Sequence, residues 1–421
     1  MRLLDKKDLF VANHPVGVEP RVQDMMQLLD KEMQQDVGFE YSEECTDFEF
    51  PEDIDFEYLE DILHLPDIQQ SSLQKKDIQQ SNNVLLLGMW GMGGIGKTTI
   101  AKAIYNKIGR NFEGRSFLAN IREVWEQNDG QVSLQQQLLF DICKATTTNI
   151  QNTDAGKNTL MDRLSRKKVL IVLDDVSSSD QLNALCGSCE WFGPGSRIII
   201  TTRDKHILKE IGVYQVYEMK EMNENESIEL FSWHAFKQAR PKKDFAAMSK
   251  NVVEYSGGLP LALEVLGSYL FDRKVTEWES VLKKLKAIPN HQVQKKLRIS
   301  YDGLSDYTEK EIFLDVACFF IGMVRTDVVN ILDGCDLYAE IGINVLLERS
   351  LVTVDDRNRL RMHALLRDMG REIVREESQN NLDDCSRLWS SKDVLAVLSK
   401  PMVGTSFSFF SFYFGLSKSK A

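Results

Sequence analysis

Short apolar runs alternate with helical patterns between residues 84 and 218. The runs are four to six residues long with few polar positions, as is typical of parallel strands buried on both faces. Apolar residues between them recur with helical spacing, as at Leu134, Leu138 and Ile142. The predicted strands are Val84–Met89, Ser116–Ala119, Val169–Leu173 and Ile198–Thr201. Strands that alternate with helices predict an α/β domain with a doubly wound parallel sheet.

The pattern becomes wholly helical after residue 220. Trp278, Val281, Leu282 and Leu285 have the spacing of one helix face, and the stretch Leu261–Leu270 is apolar almost all round. A helix with one apolar stripe packs against a core, whereas a helix that is apolar on all sides is buried. This part of the chain is therefore predicted to be a small helical domain.

A hairpin follows further helices in the next part of the chain. Leu351–Val354 and Arg359–Met362 flank a polar turn at Asp355–Asn358, and residues of this kind favour tight turns. The next segment has Leu365 and Met369 on one helical face. Helices closed by a two-stranded wing predict a winged-helix domain.

Negative charge is concentrated in one segment. The 421 residues include 63 acidic and 51 basic side chains, a net charge of −12. Fourteen of the acidic residues, and no Lys or Arg, lie between Glu32 and Gln74, so the rest of the chain is nearly neutral. We expect residues 31–80 to be a disordered insertion, because high net charge with few apolar residues disfavours a core. A nearly neutral remainder argues against broad attraction to nucleic acid.

Several protein classes do not fit this sequence. Charged residues interrupt Met1–Pro15, so no signal-peptide core is present, and no run of 18 apolar residues predicts a membrane span. Seven scattered cysteines favour a reducing compartment over a disulfide framework. Cys186 and Cys189 form a lone CxxC, which fits two loop residues better than a zinc or redox site. We therefore expect a cytoplasmic protein, with the nucleus as an alternative.

The strongest chemical signal follows the first predicted strand. The sequence GMGGIGKTT fits the phosphate-binding pattern G-x-x-x-x-G-K-[ST], with a strand before it and a helix after it. Glycines let backbone N–H groups turn inward around phosphate oxygens, and the helix directs its positive N-terminal end at the same anion. We expect Lys97 to reach the β- and γ-phosphates of ATP and the Thr98 hydroxyl to hold Mg²⁺. The nucleotide-binding residues of this loop are Gly91, Met92, Gly93, Gly94, Ile95, Gly96, Lys97, Thr98 and Thr99.

Two later strands end in charged residues. The strand Val169–Leu173 runs into Asp174 and Asp175, at the edge of the sheet where ligands bind in such folds. We expect Asp174 to join the Mg²⁺ shell, and Asp175 to orient or deprotonate an attacking water. The strand Ile198–Thr201 brings Arg203 to the same edge, where it can reach a γ-phosphate. A surface salt bridge is the alternative for this arginine.

Five segments in this order resemble one known family. They are GMGGIGKTT, LIVLDD, GSRIIITTRD, GGLPLAL at 257–263 and Met-His-Ala at 362–364. The set is similar to the NB-ARC module of plant intracellular immune receptors, the NLR proteins, over roughly residues 82–398, with a shorter piece at 14–30. Ser177 after the LDDV segment, and FLDVACFF at 313–320, resemble the subclass that carries an N-terminal TIR domain.

The resemblance implies roles for individual residues. Pro260 matches the proline that packs on the adenine side of the nucleotide, and Arg203 matches the first sensor arginine. His363 matches the histidine that reaches from the winged-helix domain to the β-phosphate of ADP. From the pattern alone, a helix cap where the wing meets the next helix is the alternative for His363. Val16 and Val18 lie in a segment resembling the one whose backbone borders adenine.

The sequence also departs from the family pattern. Ala364 stands where the family has aspartate. Neither a TIR domain nor leucine-rich repeats lie within the 421 residues, so the NAD-cleaving activity of TIR domains is not carried over. The expected units are a lead at 1–30, the acidic insertion at 31–80, a P-loop NTPase domain at 82–220, a helical ARC1-like domain at 221–288, a winged-helix ARC2-like domain at 289–398 and an aberrant Ser/Phe tail at 399–421.

The resemblance implies an ADP/ATP-binding switch in plant defence signalling, with Mg²⁺ as cofactor and slow ATP hydrolysis resetting the state. Other NLR chains are the expected protein partners. A non-enzymatic adaptor or decoy that pairs with full-length receptors is the alternative. A winged-helix regulator of nucleic acid is a third reading, but His291–Glu377 holds twelve basic and sixteen acidic residues. Because phosphate contacts dominate DNA affinity, we expect no DNA binding.

Overall fold

The structure of the chain is a computed structural model that describes residues 8–30, 84–144, 150–213, 215–287, 289–377, 386–389 and 394–395. The acidic insertion and the tail at 399–421 lie outside these residues, and what the sequence predicts for them stays a prediction. Within the described ranges, no helix is both long enough and apolar enough to cross a membrane.

Five parallel strands form one sheet in the order β2-β3-β4-β1-β5. Their bounds are β1 Leu85–Trp90, β2 Gly114–Leu118, β3 Val169–Val176, β4 Arg197–Thr202 and β5 Gln215–Glu218. The four predicted strands are confirmed, and β5 is one that the pattern did not predict. Strand β4 lies between β1 and β3, so the phosphate-binding loop after β1 and the carboxylates of β3 meet at the same edge of the sheet.

Helices cover both faces of this sheet, which confirms the doubly wound fold. They are α2 Lys97–Ile108, α3 Ile121–Trp125, α4 Gly130–Cys143, α5 Thr153–Leu164, α6 Ser179–Cys186 and α7 Lys205–Glu210. Leu87, Val172 and Ile199 pack into the core that contains α2. Ile171 and Ile198 pack into a second core with the helices between α3 and α7. Alternate residues of each strand therefore serve opposite faces.

The lead of the chain is part of the first of these cores. Helix α1 spans Val18–Asp30, and Val22 and Met25 are fully buried in the cluster that holds Ile100 and Ile104 of α2. The helix packs as a structural element of the nucleotide-binding domain.

The helical domain has four helices, α8 Glu224–Phe236, α9 Ala246–Ser256, α10 Pro260–Leu270 and α11 Val275–Ala287. Phe231 and Trp278 pack edge to face with ring centroids 5.8 Å apart, and both are buried. Asn223 and Glu226 form a reciprocal capping box at the start of α8, which satisfies backbone N–H groups that a helix leaves unpaired at its start.

The winged-helix domain begins with α12 and ends with α16. Its elements are α12 His291–Asp302, α13 Tyr307–Asp315, a π-helical turn Val316–Phe320, α14 Arg325–Asp333, α15 Ala339–Glu348, β6 Thr353–Val354, β7 Leu360–Arg361 and α16 Ala364–Glu377. The two strands pair antiparallel, with Thr353 opposite Arg361 and Val354 opposite Leu360. The predicted wing is therefore confirmed.

Polar contacts join the winged-helix domain to the sheet. The indole nitrogen of Trp90 donates to the carbonyl oxygen of Glu348 at 2.7 Å. The Glu348 carboxylate accepts from Lys209 at 2.6 Å, and Arg349 lies 3.4 Å from Asp204. These contacts hold the end of α15 against the edge of the sheet that carries the phosphate-binding loop.

Candidate nucleotide-binding site

The loop between β1 and α2 has a backbone that glycine must provide. Gly91, Gly94 and Gly96 have φ of 151°, 83° and 99°, values that residues with a Cβ rarely adopt. A Cβ at Gly94 would lie 2.8 Å from side-chain atoms of Leu261. The loop is thus held close to the N-terminal end of α10, and the Leu261 N–H donates to the Gly94 carbonyl at 3.3 Å.

Lys97 is the first residue of α2 and lies inside this loop. Its ammonium group donates to the carbonyl oxygens of Gly91 at 2.6 Å and Met92 at 3.0 Å. Burial lowers the pKa of Lys97 to about 7, and repulsion from Arg203 acts in the same direction. A phosphate anion would favour the charged form of this group. The loop therefore holds a lysine whose charged form a bound phosphate would stabilise.

Thr98 and Asp174 meet beneath the loop. The Thr98 hydroxyl donates to the Asp174 carboxylate, with distances of 2.9 Å to Oδ1 and 3.1 Å to Oδ2, and the Thr201 hydroxyl donates to Oδ1 at 2.7 Å. Asp174 is 1% exposed, and burial raises its pKa against the effect of these two bonds.

A hydroxyl and a carboxylate are hard oxygen donors that fit Mg²⁺, which keeps several waters and takes further ligands from phosphates. Thr98 and Asp174 would hold the ion here. Among the described residues, no group of three or more His, Cys, Asp and Glu side chains could hold a metal ion. The pair therefore fits a metal that arrives with a nucleotide better than one bound by protein ligands alone.

Asp175 is tied to two arginines. Its Oδ2 accepts from the Arg122 guanidinium at 2.8 and 3.0 Å, and its Oδ1 accepts from Nε of Arg203 at 3.3 Å. Asp175 has a left-handed backbone, with φ of 59°, where the register of β3 against β4 shifts. Its N–H donates to the Thr201 hydroxyl at 2.9 Å. Asp175 thus anchors two guanidinium groups, and its action on a water stays a prediction.

Arg122 is a site residue that the sequence did not single out. It lies on α3, just after β2 ends at Leu118. Because β2 and β3 are parallel neighbours, residues that follow both strands come to the same edge of the sheet. The position after a strand was the available signal, but no motif marked it.

Arg203 connects this edge to the winged-helix domain. Its Nη1 donates to the Ser300 hydroxyl at 3.1 Å and to the Lys296 carbonyl at 3.4 Å, both on α12. A Cβ at Gly93 would lie 2.7 Å from the same nitrogen, so the guanidinium lies against the phosphate-binding loop. Its side chain is 21% exposed, and burial lowers its pKa. Arg203 does form a salt bridge, with Asp175, but the pair is largely buried and not a surface pair. Its contact to a γ-phosphate stays a prediction.

A cavity of about 300 Å³ opens beside the start of α2, at the lower end of the size range of ligand pockets. It is lined by Val16 and Val18 of the lead, Gly96 and Thr99 of the loop region, and Pro260 of α10. The structure thus brings these five predicted residues together, although residues 31–83 separate the lead from the loop in sequence. A cavity of this size next to a phosphate-binding loop, with apolar walls such as Ile95, Met219 and Pro260 and polar groups at its rim, suits a nucleobase.

His363 lies on another side of the loop. Another cavity, of about 340 Å³, is lined by His363 together with Gly91 and Met92, and Pro260 is not among its lining residues. The ring nitrogen Nε2 lies 3.1 Å from the Gly257 carbonyl, and the Leu365 N–H donates to Nδ1 at 3.2 Å.

Because Nδ1 of His363 accepts a hydrogen bond, the ring proton belongs on Nε2, which donates to the Gly257 carbonyl. Burial lowers the pKa of His363, which favours this neutral form. The cap considered for His363 is confirmed, since it accepts from the first turn of α16. The histidine also joins the winged-helix domain to the segment that precedes Pro260. Its predicted bond to a phosphate stays a prediction, and Ala364 is the first residue of α16.

The two cysteines of the CxxC segment do not form a reactive pair. Cys186 is buried at the end of α6, and Cys189 is partly buried. Burial raises the pKa of Cys186 to about 12 and also raises the pKa of Cys189, so both thiols stay protonated and unreactive.

Comparison with known families supports the motif-based reading. Residues 67–240 match the NB-ARC domain. Residues 306–378 match the winged-helix domain described as Disease resistance protein Roq1-like. The first match includes the whole sheet, its flanking helices α2 to α7 and helix α8, and the second includes α13 to α16.

Curated plant proteins match the same region. Disease resistance protein RUN1 of Vitis rotundifolia is 50% identical, over 75% of this chain and 23% of that protein. TMV resistance protein N of Nicotiana glutinosa is 43% identical, over 76% of this chain and 28% of that protein. Disease resistance protein RPV1 of Vitis rotundifolia is 47% identical, over 75% of this chain and 22% of that protein. The chain thus spans about a quarter of the length of these relatives. It contains an NB-ARC domain and a Roq1-like winged-helix domain, and its relatives over this region are plant disease resistance proteins.

Proposed function

We propose that the chain is a molecular switch that binds ADP and ATP in plant defence signalling. The observation that carries the proposal is the meeting, at one sheet edge, of buried Lys97, the Thr98–Asp174 pair and Arg203, which contacts the winged-helix domain. A phosphate ligand at this edge would contact both Lys97 of the loop and Arg203, whose side chain also contacts the winged-helix domain.

Each residue has a proposed task in binding. Lys97 and the backbone N–H groups of the loop hold the phosphates, and Thr98 with Asp174 holds Mg²⁺, which neutralises phosphate charge when bound. Pro260, Val16 and Val18 border the base. Lys97, Asp174, Asp175 and Arg203 form the proposed catalytic set for slow ATP hydrolysis, which resets the state.

Two contacts couple the nucleotide to the winged-helix domain. Arg203 donates to Ser300 on α12, and a γ-phosphate would compete with Ser300 for that guanidinium. His363 has one N–H on Nε2, and a β-phosphate would take it in place of the Gly257 carbonyl. The new bond is charge-assisted and joins the winged-helix domain to the nucleotide held by the loop. ADP thus favours the closed arrangement, and ATP weakens the contact through Arg203.

The size of such a contact is enough for a switch. A hydrogen bond to a charged group contributes about 1.5–3 kcal/mol. At 1.4 kcal/mol per factor of ten, that biases closed over open by roughly 10- to 100-fold. A single contact of this kind can therefore set the dominant state.

An adaptor or decoy that binds nucleotide without turnover is the alternative. It shares the whole site, and ATP turnover with Lys97→Arg as the negative control separates it from the switch.

Other NLR chains are the proposed partners, and the cytoplasm is the proposed compartment, with the nucleus as the alternative. The winged-helix residues His291–Glu377 carry four more acidic than basic side chains, which disfavours DNA binding.

The nucleotide bound to the full 421-residue chain tests the proposal. We expect the purified protein to release ADP on acid treatment, and to bind added ADP in Mg²⁺ buffer. Lys97→Arg should lose most of both, because the longer, branched guanidinium does not fit the two carbonyl contacts of Lys97. Lys283→Arg, at an exposed position on α11, is the matched control and should behave as the original chain. Failure of the original chain to bind ADP would refute the proposal.

A further inference from the structure

The described lead, residues 8–30, is here called the strap. It is fixed to the nucleotide-binding domain by polar contacts along its length. The backbone of Leu9 forms two hydrogen bonds with the Asn106 side chain, at 2.8 and 2.7 Å. Glu19 pairs with Lys107 at 2.7 Å. With the buried face of α1, these contacts attach the strap to α2.

The strap is fixed to the helical domain as well. Arg21 presents both terminal nitrogens to the two carboxylate oxygens of Glu226, each at 3.1 Å. The same guanidinium donates to the carbonyl oxygens of Gly17 at 2.7 Å and Glu221 at 3.1 Å. The strap therefore crosses from one domain to the other, and Arg21 makes four bonds at the crossing.

The ion pair between Arg21 and Glu226 is partly buried and has two hydrogen bonds. The two side chains are only 15% and 17% exposed, so water screens them less than a surface pair. Glu226 is fixed independently, because its carboxylate accepts from the Asn223 N–H at 3.2 Å in the capping box of α8. A two-point fork between a guanidinium and a carboxylate is geometrically specific, and lysine cannot reproduce it.

Gly17 makes room for this pair. Its φ is +68°, and a Cβ there would lie 2.7 Å from Nη1 of Arg21 and 2.8 Å from Oε1 of Glu226. The turn that carries Val16 and Val18 therefore packs directly against the ion pair. Movement of the pair would move this turn.

The turn and the pair lie at the cavity beside the phosphate-binding loop. Gly17, Arg21 and Met222 line it together with Val16 and Val18. Met222 follows Glu221, whose carbonyl Arg21 binds. One guanidinium thus fixes two walls of the cavity, one from the strap and one from the helical domain.

We infer that Arg21 is a positioning residue for the bound nucleotide: through its fork with Glu226 it holds the strap as a wall of the cavity, and so limits nucleotide release. The inference rests on the proposed nucleotide site. Separation of the helical domain from the nucleotide-binding domain requires this fork to break, so the same contact restrains nucleotide exchange.

The test is the dissociation rate of a fluorescent ADP from the full chain, measured by stopped flow after mixing with excess ADP. Arg21→Gln should release it roughly tenfold faster, because loss of a partly buried charged contact acts mainly on dissociation. Glu226→Gln, which can still form the capping box, should have a similar effect. The double variant should be no faster than either single one.

Glu19→Gln is the matched control. It removes another ion pair of the strap, in which the Glu19 side chain is 64% exposed, and it should change the rate less than about twofold. Arg21→Lys keeps the charge without the fork and should be nearly as fast as Arg21→Gln. It also gives a result if the glutamine variant does not fold.

Original rates in folded Arg21→Gln or Arg21→Lys would overturn the inference and leave the proposed function standing. Equal acceleration by Glu19→Gln would also overturn it, since general loosening of the strap would then explain the effect. Strictly additive effects in the double variant would show that the two residues act separately and would overturn it as well. Failure of the original chain to bind the fluorescent ADP would instead count against the proposed function.

Discussion

At the scale of single residues, Lys97 links nucleotide binding to pH. Its pKa is lowered to about 7, first by burial, so the free chain at pH 8 holds this amine mostly neutral. A phosphate raises that pKa again, so binding at pH 8 takes up a proton. ADP affinity should therefore be highest near or below pH 7 and fall as pH rises toward 9.

Calorimetric titration with ADP at pH 8, in two buffers of different ionisation enthalpy, measures that proton. We expect an uptake of roughly half a proton or more per ADP. Any binding that remains in Lys97→Arg should proceed without uptake, since arginine stays charged. Equal heats in the two buffers for the original chain would contradict the account.

Asp175 carries a second expectation at this scale. Asp175→Asn removes the anchor of Arg122 and Arg203 and leaves two cations near the buried Lys97. We expect a loss of about 2 kcal/mol in the free energy of unfolding, measured by urea denaturation. Asp129→Asn is a matched control, because Asp129 is exposed and also has a left-handed backbone, with φ of 57°. Full stability of Asp175→Asn together with lost ATP turnover would favour the role of a base over that of an anchor.

The motifs identified residues whose chemistry depends on local spacing. Lys97 and Thr98 follow from the loop pattern, and Asp174 follows from a carboxylate at the end of a buried strand. Arg122 was not predicted, because it lies on α3 after β2 while its partner Asp175 lies on β3, and the neighbouring positions of β2 and β3 in the sheet bring the two together. The contact of Arg203 with α12 depends on how the winged-helix domain packs against the sheet, so it was not visible in the sequence either.

At the scale of elements, His363 is the cap of α16 and a contact between domains. His363→Asn keeps a side-chain acceptor suited to a helix start but is too short for the Gly257 carbonyl. His363→Ala loses both. We expect His363→Ala to lower the free energy of unfolding by about 1 kcal/mol, measured by urea denaturation. The free energy of unfolding of His363→Asn should stay close to that of the original chain.

Both His363 variants should lose ADP affinity and gain protease sensitivity, because both lose the contact that joins the winged-helix domain to the helical domain. Unchanged values of both measurements in His363→Ala would show that the histidine has no role in the switch. Normal ADP binding in His363→Asn, with weakened binding in His363→Ala, would show that His363 acts only as the cap of α16.

The elements that the sequence predicted best are those with a strong pattern of their own. Buried strands β1, β3 and β4 are continuous apolar runs, and the wing is marked by its polar turn. Strand β5 was missed because Gln215–Glu218 is short and only partly buried. It is also an outermost strand of the sheet. Its place in the sheet comes from pairing with β1.

At the scale of the whole molecule, the lead was predicted as a separate segment, yet it packs into the nucleotide-binding domain and lines the cavity. The resemblance indicated that Val16 and Val18 border the base, but the packing of α1 on α2 was not visible, because residues 31–83 stand between the strap and β1 in sequence. A fragment that begins at residue 82 would therefore lack one wall of the proposed site, and experiments on binding should use the full chain.

Residues 31–80 give an expectation for the whole chain. Replacing them with a neutral Gly/Ser sequence of equal length should leave ADP affinity unchanged in physiological salt and raise it slightly in low salt. The reason is that fourteen carboxylates, which precede the phosphate-binding loop in sequence, would repel a phosphate that they approach. At physiological salt this repulsion is screened beyond about 8 Å. Calorimetry at two salt concentrations measures it. A clear loss of affinity would show that the segment is structural.

The most direct test of the switch is amide hydrogen exchange of the full chain, first with ADP and then with a non-hydrolysable ATP analogue, both with Mg²⁺. We predict faster exchange in α12 and α16 with the ATP analogue, because the contact of Arg203 with Ser300 competes with a γ-phosphate, while β1, β3 and β4 remain equally protected. Identical exchange of α12 and α16 with both nucleotides, each shown to be bound, would contradict the account.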